Sequence, residues 1–377
     1  MRIAVDADNL YRFPHRGIAK TLIPLYCHLA RAYPQWDFIL FRQVGDPIAA
    51  FAPFANITQR QIDIKGDSLP GRLWEQIRLP LAAWTSRADV LHCSCSTGPS
   101  YSRVPVVLTI HDLTPLRHAP ESPQTRGWYQ RVKRGAAGAT VIISSSYVIA
   151  DDISAECGID RSRITVAHWA IDAGYADGAL EKSAGILPLY DAATVPFVMM
   201  FGARSPHKNV ARVLEAWARI PETIRDRWRL LLVGVDAETA QGFRADAARL
   251  RIDGSVGVHG PIPEAHVPSL LSAAEILCYP SLSEGFGVPV VEAFACGTSV
   301  LTSNVTSLPE VAGDAALIVD PMSVAEIANG LVTLMTDTAL RERLIRAGRQ
   351  RLELFTWDRC VSAYADVFMR AAGGRSS

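Results

Sequence analysis

The stretch that most constrains what this chain can fold into is 279–304, YPSLSEGFGVPVVEAFACGTSVLTSN. It follows a short apolar run, Ile276, Leu277 and Cys278 leading into Tyr279, passes through a Ser/Gly loop, and ends in a second β-prone run over 299–302. An apolar strand, a glycine loop, a helical segment and another strand make one strand–helix–strand unit. Pro289 fits the first helical turn, where its missing N–H is no loss, and Gly297 stands where a helix stops. The helix is therefore short.

Its N-terminus faces the loop Ser283-Glu284-Gly285-Phe286-Gly287. Two glycines let backbone N–H groups come close to a ligand, and the helix dipole favours an anion there, so the loop reads as a phosphate cradle. Two carboxylates bracket it: Glu284 in the loop, and Glu292 in the helix among Val290, Val291, Ala293 and Phe294. A carboxylate buried among apolar neighbours must be paired or bound, since alone it costs several kcal/mol. Two acceptors beside a phosphate cradle suit a ligand with hydroxyls next to its phosphates, such as a nucleotide sugar. The same pair is compatible with a solvated Glu284 and a Glu292 that only caps the helix.

Glu284 and Glu292, seven residues apart inside SEGFGVPVVEAFACGTSV, resemble the double-glutamate motif of the GT-B glycosyltransferases of glycosyltransferase family 4. The resemblance runs over nearly the whole chain, with the motifs in the family's order. It implies an α/β fold of the GT-B kind, two doubly wound Rossmann-like domains facing a central cleft. The expected domains are 1–177, which binds acceptor; a linker, 178–195; 196–355, which binds the donor nucleotide; and 356–377, a C-terminal helix crossing back to the first domain. It also implies that Glu292 holds the nucleotide ribose, while Glu284, Gly285 and the backbone of Phe286, Gly287 and Val288 hold the donor phosphates and sugar hydroxyls.

The 377 residues suit two domains, and 49% hydrophobic residues can build two cores. With 38 basic and 38 acidic residues the chain offers no electrostatic case for a nucleic-acid partner. The seven cysteines are odd in number and mostly lie in apolar runs, reading as reduced core residues; Cys93-x-Cys95 has no second pair at zinc spacing. The chain opens on a strand rather than an apolar leader, and no apolar run of about eighteen residues occurs, so a soluble, cytoplasmic protein is expected.

Along the first half, Gly17-Ile18-Ala19 follows the first strand and opens a helix carrying Leu22, Leu25 and Leu29. Gly17 is a turn residue or, as the resemblance implies, part of the loop facing the donor phosphates. Trp74-Glu75-Gln76 begins an amphipathic helix, with Trp74, Leu79 and Trp84 read as core rather than as an acceptor or membrane face. The β-branched run 106–110 reads as a central parallel strand ending in His111-Asp112-Leu113. The resemblance places His111 beside the donor sugar near the reacting carbon, with Asp112 as its orienting partner. Residues 126–134 interleave Arg126, Arg131, Lys133 and Arg134 with Trp128 and Tyr129, a solvated helix face or a seat for an anionic lipid headgroup. His168-Trp169-Ala170-Ile171-Asp172 resembles the family's N-G-V/I-D segment, with Trp and Ala in place of Asn and Gly.

In the second half, Gly202-Ala203-Arg204-Ser205-Pro206-His207-Lys208-Asn209 follows a strand and precedes a helix. Basic side chains there can clamp a diphosphate leaving group. The segment resembles the family's G-R-x-x-x-x-K-N/G motif, displaced so that Ala203 holds the arginine position and Arg204 comes one place later; Lys208 matches, and His207 is the alternative second cation. The loop after 256–260, around Ile262, is expected to meet the nucleotide base through backbone. The resemblance therefore implies a retaining hexosyltransferase that needs no metal, with His111, Glu284, Lys208 and Arg204 as its reactive residues. It is most similar to bacterial mannosyltransferases of exopolysaccharide and O-antigen assembly, which implies GDP-mannose as donor, a saccharide or lipid-linked acceptor and peripheral contact with the inner membrane. A UDP-hexose donor, a nucleotide-sugar isomerase and a non-catalytic binder on the same fold are the alternatives.

Overall fold

The computed structural model describes residues 1–13, 17–62, 73–118, 120–172, 174–176, 179–192, 194–203 and 205–373. The chain divides into two compact units, one made of Met1–Ala170 with the segment from Trp357 onward, the other of Ile171–Thr356. The division falls at Ala170, upstream of the expected 177. Each unit is a parallel sheet covered by helices.

Among the described residues the first sheet has seven strands: β1 (Arg2–Asp6), β2 (Asp37–Arg42), β3 (Ile57–Gln61), β4 (Val90–Cys93), β5 (Val106–Ile110), β6 (Val141–Ser144) and β7 (Ile164–Val166), in the order β3-β2-β1-β4-β5-β6-β7. Every pairing is parallel. β4 and β5 are buried along their whole length, which is why they show no polar alternation; their two polar side chains, His92 and Thr109, pair with each other at 2.8 Å. The helix Gly17–Ala32 buries Leu22, Leu25, Tyr26 and Leu29 at three- and four-residue spacing, the stripe an amphipathic helix turns to a core. The helix Trp357–Gly373 packs on it, and His28 stacks on Trp357 at 4.5 Å between ring centroids.

The second sheet holds β8 (Phe197–Phe201), β9 (Arg229–Val233), β10 (Val256–Val258), β11 (Ile276–Tyr279), β12 (Ser299–Ser303) and β13 (Leu317–Val319), in the order β10-β9-β8-β11-β12-β13. These pairings too are parallel. Trp217, on the helix Val210–Arg219, is fully buried in this unit's core with Nε1 donating to Ser255 Oγ at 3.0 Å, so the indole buries its ring without orphaning its donor.

Two expectations need correction. Residues 178–195 are not a bare connection: a helix, Ala179–Ile186, packs against the helix Val267–Ala273. Trp84 is not core. Trp74 and Leu79 are buried, but Trp84 is exposed beneath the Arg103 guanidinium, 4.8 Å from its ring centroid. The helix Leu79–Thr85 has only one side to give to the sheet, and the indole falls on the other.

In each sheet the chain builds outward one way and then returns to build the other way. The reversal lies between β1 and β4 in the first sheet and between β8 and β11 in the second. Loops that leave the carboxyl ends of strands flanking such a reversal diverge, and the crevice between them is where open α/β sheets bind ligands.

Candidate active site

The loops leaving β8 and β11 meet at the second sheet's reversal. A short turn, Pro206–Lys208, follows β8. Its last residue sends Nζ 2.7 Å from Glu284 Oε1 and 2.7 Å from Tyr279 Oη, and the Tyr279 hydroxyl donates to the same Glu284 oxygen at 2.7 Å. The ammonium also lies 4.8 Å from the Tyr279 ring centroid. Burial alone would raise the Glu284 carboxyl's pKa, but the Lys208 charge and the hydrogen bonds from Lys208, Tyr279 and Ser281 outweigh it and hold the group below the usual carboxylate range. Glu284 is thus an ionised, acceptor-only group. Two of the three N–H donors of Lys208 are engaged in this triangle; an ammonium keeps a third for a ligand oxygen.

Two anchors hold these residues. Asn209 adopts a left-handed conformation, φ 64° and ψ 25°, which Asn tolerates better than most residues. Its buried side-chain amide donates to Pro280 O at 3.0 Å and Pro321 O at 2.7 Å and accepts from Arg212 at 3.1 Å. Glu284 is held through its backbone: its N–H donates to Thr306 Oγ1 at 3.1 Å, and its carbonyl accepts from Ser307 Oγ at 2.9 Å.

Beyond Glu284 the chain enters the helix Val288–Cys296 through Gly287, whose φ is 98°, and leaves it through Gly297 at φ 73°. A Cβ on Gly287 would lie 2.6 Å from Leu308 Cδ2, so both conformation and space demand glycine. The N-cap residue, Gly287, makes no side-chain hydrogen bond to the first turn, and the Val290 N–H returns to its carbonyl at 2.9 Å. The Phe286 ring packs edge-on against Phe355 at 5.5 Å, so this residue can meet a ligand only through its backbone. One turn into the helix, Glu292 is half-buried and receives a hydrogen bond from the Tyr175 hydroxyl; burial, then the carboxylate's charge, push the phenol's pKa up. Ile262 lies half-buried in the loop after β10. Arg204 lies outside the described residues. The alternative cation His207 has Nδ1 2.6 Å from Ser205 Oγ.

His111 and Gly17 belong to the first unit. His111 follows β5, is buried, and has Nε2 2.7 Å from Ser94 O. A carbonyl only accepts, so Nε2 carries the proton and Nδ1 is the acceptor of the neutral ring. Burial lowers its pKa, against the opposing pull of the Ser94 hydrogen bond and of Asp112. The orienting groups are not the expected Asp112, whose Oδ1 accepts from Thr114 N at 2.8 Å. They are Ser94 and the Trp169 indole, stacked 5.5 Å away at 22°. Gly17 opens its helix exposed, with nothing within 4 Å of an added Cβ. In 126–134, Arg131 turns inward to within 3.6 Å of Glu75, while Arg126 remains on an exposed pair with Glu121.

Two family models divide the chain between them. One, described as Glycosyltransferase Family 4, matches 17–175, and one described as Glycosyl transferases group 1 matches 191–351. The chain belongs to glycosyltransferase family 4. Among curated relatives of this family 4 chain, O-antigen chain mannosyltransferase B of Escherichia coli is 29% identical over 264 residues, covering 70% of this chain and 69% of the relative. Serotype-specific mannosyltransferase WbdA of Escherichia coli is 26% identical over 279 residues, and the match spans only 33% of its length. Sucrose-phosphate synthase from Thermosynechococcus elongatus superposes with TM-score 0.77 at 20% identity, over 99% of this chain and 100% of the other. That likeness shows the fold: this glycosyltransferase has the two-domain α/β GT-B architecture.

Several site residues were given no role by the motifs. Tyr279, Thr306, Ser307, Tyr175 and Trp169 position Glu284, Glu292 and His111. Only Tyr279 carried a signal in sequence, a tyrosine closing an otherwise apolar buried strand, whose hydroxyl must find a partner.

Proposed function

We propose that this chain transfers mannose from GDP-mannose, with retention of configuration, to a hydroxyl of a saccharide or lipid-linked saccharide in bacterial polysaccharide assembly. The observation that carries the reading is the Lys208–Glu284–Tyr279 triangle ahead of the N-terminus of the helix Val288–Cys296. A cation and oriented N–H groups stand where a diphosphate would leave, with an ionised acceptor beside them for sugar hydroxyls. Lys208 directs its third N–H to the departing β-phosphate, Glu284 holds the donor sugar, and Glu292 holds the ribose. As the C1–phosphate bond breaks, the acceptor oxygen bonds to C1 on the same face and its proton passes to the leaving phosphate oxygen. Charge on that oxygen is met by Lys208 and by the backbone of Gly285, Phe286 and Gly287, so a metal ion has no required part. The mannose assignment is supported by the names of the two Escherichia coli relatives.

A lipid-linked acceptor at the inner membrane is supported by Leu73, Ile77, Leu81 and Trp84, exposed at helical spacing on one stretch of the first unit. No described helix is long and apolar enough to cross a membrane, so the contact is peripheral. Co-sedimentation with anionic vesicles, lost in Ile77→Glu, tests it.

The experiment for the reaction is thermal shift with GDP, UDP and ADP and their sugars, followed by chromatography of GDP-mannose incubated alone. A ligand at a hundred times its dissociation constant stabilises by about 2.7 kcal/mol. Stabilisation by GDP-mannose with slow release of GDP fits the proposal, and Lys208→Ala then costs roughly 100-fold in turnover. Isomerised sugar, or stabilisation by UDP sugars alone, overturns it.

A further inference from the structure

The first unit carries a second constellation at its own sheet reversal, built from residues the reaction above does not use. Asp6 is the last residue of β1, registered against Cys93 of β4. Opposite it the segment Trp74–Arg78 winds as a π-helical turn that buries both Trp74 and Glu75. Such turns are rare and occur frequently at functional sites. The Trp74 indole donates to Asp6 Oδ1 at 3.1 Å. Glu75, only 7% exposed, accepts from Thr97 Oγ1 at 2.8 Å through Oε1, and Arg131 approaches the same oxygen at 3.6 Å. The other oxygen, Oε2, is buried and has no hydrogen-bond partner among the described residues. An enclosed carboxylate oxygen left unsatisfied is costly. Asp8, the third carboxylate of the group, is fully committed: its oxygens take Gln43 N at 2.8 Å, Gln43 Nε2 at 3.2 Å and Arg12 Nε at 2.6 Å.

We propose that Glu75, with Asp6 beside it, forms a saccharide-binding subsite of the first unit in which Glu75 Oε2 accepts a hydroxyl of the acceptor sugar. The proposal rests on the glycosyl-transfer reading. The chemistry selects the ligand class: carboxylates repel an anion, and Arg131 and Arg12 already offset the charge that a metal ion or an amine would need. A neutral polyol, with several O–H donors and no charge to desolvate, satisfies the orphan oxygen. Burial raises the pKa of Glu75, against Thr97 and Arg131, as expected of a carboxylate short of donors. The π turn is the device that delivers it, because an extra residue in the turn brings two consecutive side chains to the same interior.

The test uses the full chain and methyl α-D-mannoside, methyl α-D-glucoside and α-1,3-mannobiose as probes, followed by saturation-transfer NMR. Glu75→Gln and Thr97→Val are compared with the native chain for saccharide binding, melting temperature and GDP-mannose hydrolysis without acceptor. The expected result is that Glu75→Gln weakens saccharide binding at least tenfold, with hydrolysis and melting temperature near native, and that Thr97→Val gives a smaller loss of the same kind. Unchanged binding in Glu75→Gln overturns the subsite, as does a native chain that binds none of the probes. Loss of binding together with matching losses of hydrolysis and melting temperature reduces Glu75 to a structural ion pair with Arg131. Glu75-dependent saccharide binding without any GDP-mannose hydrolysis leaves the subsite standing and sinks the donor assignment instead.

Discussion

Replacing Asp6 by Asn makes the buried acidic group measurable without reference to any ligand. Asp6 Oδ1 accepts from the Trp74 indole at 3.1 Å and from Asp8 N at 3.4 Å. An Asn carbonyl oxygen can keep both bonds. Burial raises the carboxyl's pKa from 3.8 to about 7; the Trp74 hydrogen bond opposes this, and the charges of Asp8 and Glu75 add to it. Between about pH 4 and pH 7 the folded chain therefore holds a proton that the unfolded chain has released, so stability falls as pH rises through that window. A displacement of about three units corresponds to about 4 kcal/mol at 1.36 kcal/mol per unit. Asp6 keeps some solvent contact, and screening reduces this to about 2–4 kcal/mol. Asn carries no such cost. Scanning calorimetry of both proteins at pH 4 and pH 8 is the assay: Asp6→Asn should melt roughly 5–10 °C higher than the native chain at pH 8 and close to it at pH 4. A difference independent of pH, or a less stable Asn variant at pH 8, would refute the account of a carboxylate held out of its normal range.

Glu292→Ala should weaken nucleotide diphosphate binding by on the order of 2 kcal/mol, about 30-fold, if two charge-assisted bonds to ribose are lost. Tyr175→Phe releases the carboxylate without removing it, and its loss by calorimetric titration should stay below about tenfold. If His111 stands near the reacting carbon, as the family resemblance implies, His111→Ala should lower kcat far more than it raises KM, since such a group acts chiefly in the transition state. Because burial holds the pKa of His111 below the ordinary 6.5, its ring stays neutral from there upward, and a rate profile breaking upward at 6.5 through this residue would contradict its placement. Gly287→Ala forces a side chain into φ 98° and against Leu308. It should cost about 1–3 kcal/mol in thermal unfolding together with donor affinity, and a variant as stable as the native chain would count against the cradle.

The parts of this fold that could be read in the sequence are those fixed by local chemistry. The strand–helix–strand unit around Glu284 was readable because Pro289 and the glycines at 287 and 297 answer backbone requirements a few residues wide. β5 was readable because a strand buried on both faces has no polar alternation to disguise it. What was hidden depends on chain brought from far away. Glu284 and Lys208 are 76 residues apart, and no pattern in either segment states that one neutralises the other. Trp84 went astray for a related reason: an indole suits a core, a stacking partner or an exposed face, and only the neighbouring elements choose among them. Helical periodicity likewise placed Glu75 on an amphipathic helix but could not announce a π turn, whose extra residue shifts the phase by which inside and outside are judged.

The amide of Asn209 has a consequence for how such sites vary. It fastens the residue next to Lys208 to the carbonyls of Pro280 and Pro321, which follow β11 and β13. The lysine thus takes its coordinates from two distant strand ends as well as from the turn Pro206–Lys208, where its own N–H donates to Ser205 O at 3.1 Å. A change of sequence ahead of that turn alters which second cation is offered, while the lysine stays in register with Glu284. The loop is a place where evolution can edit specificity and leave the aim of the lysine intact.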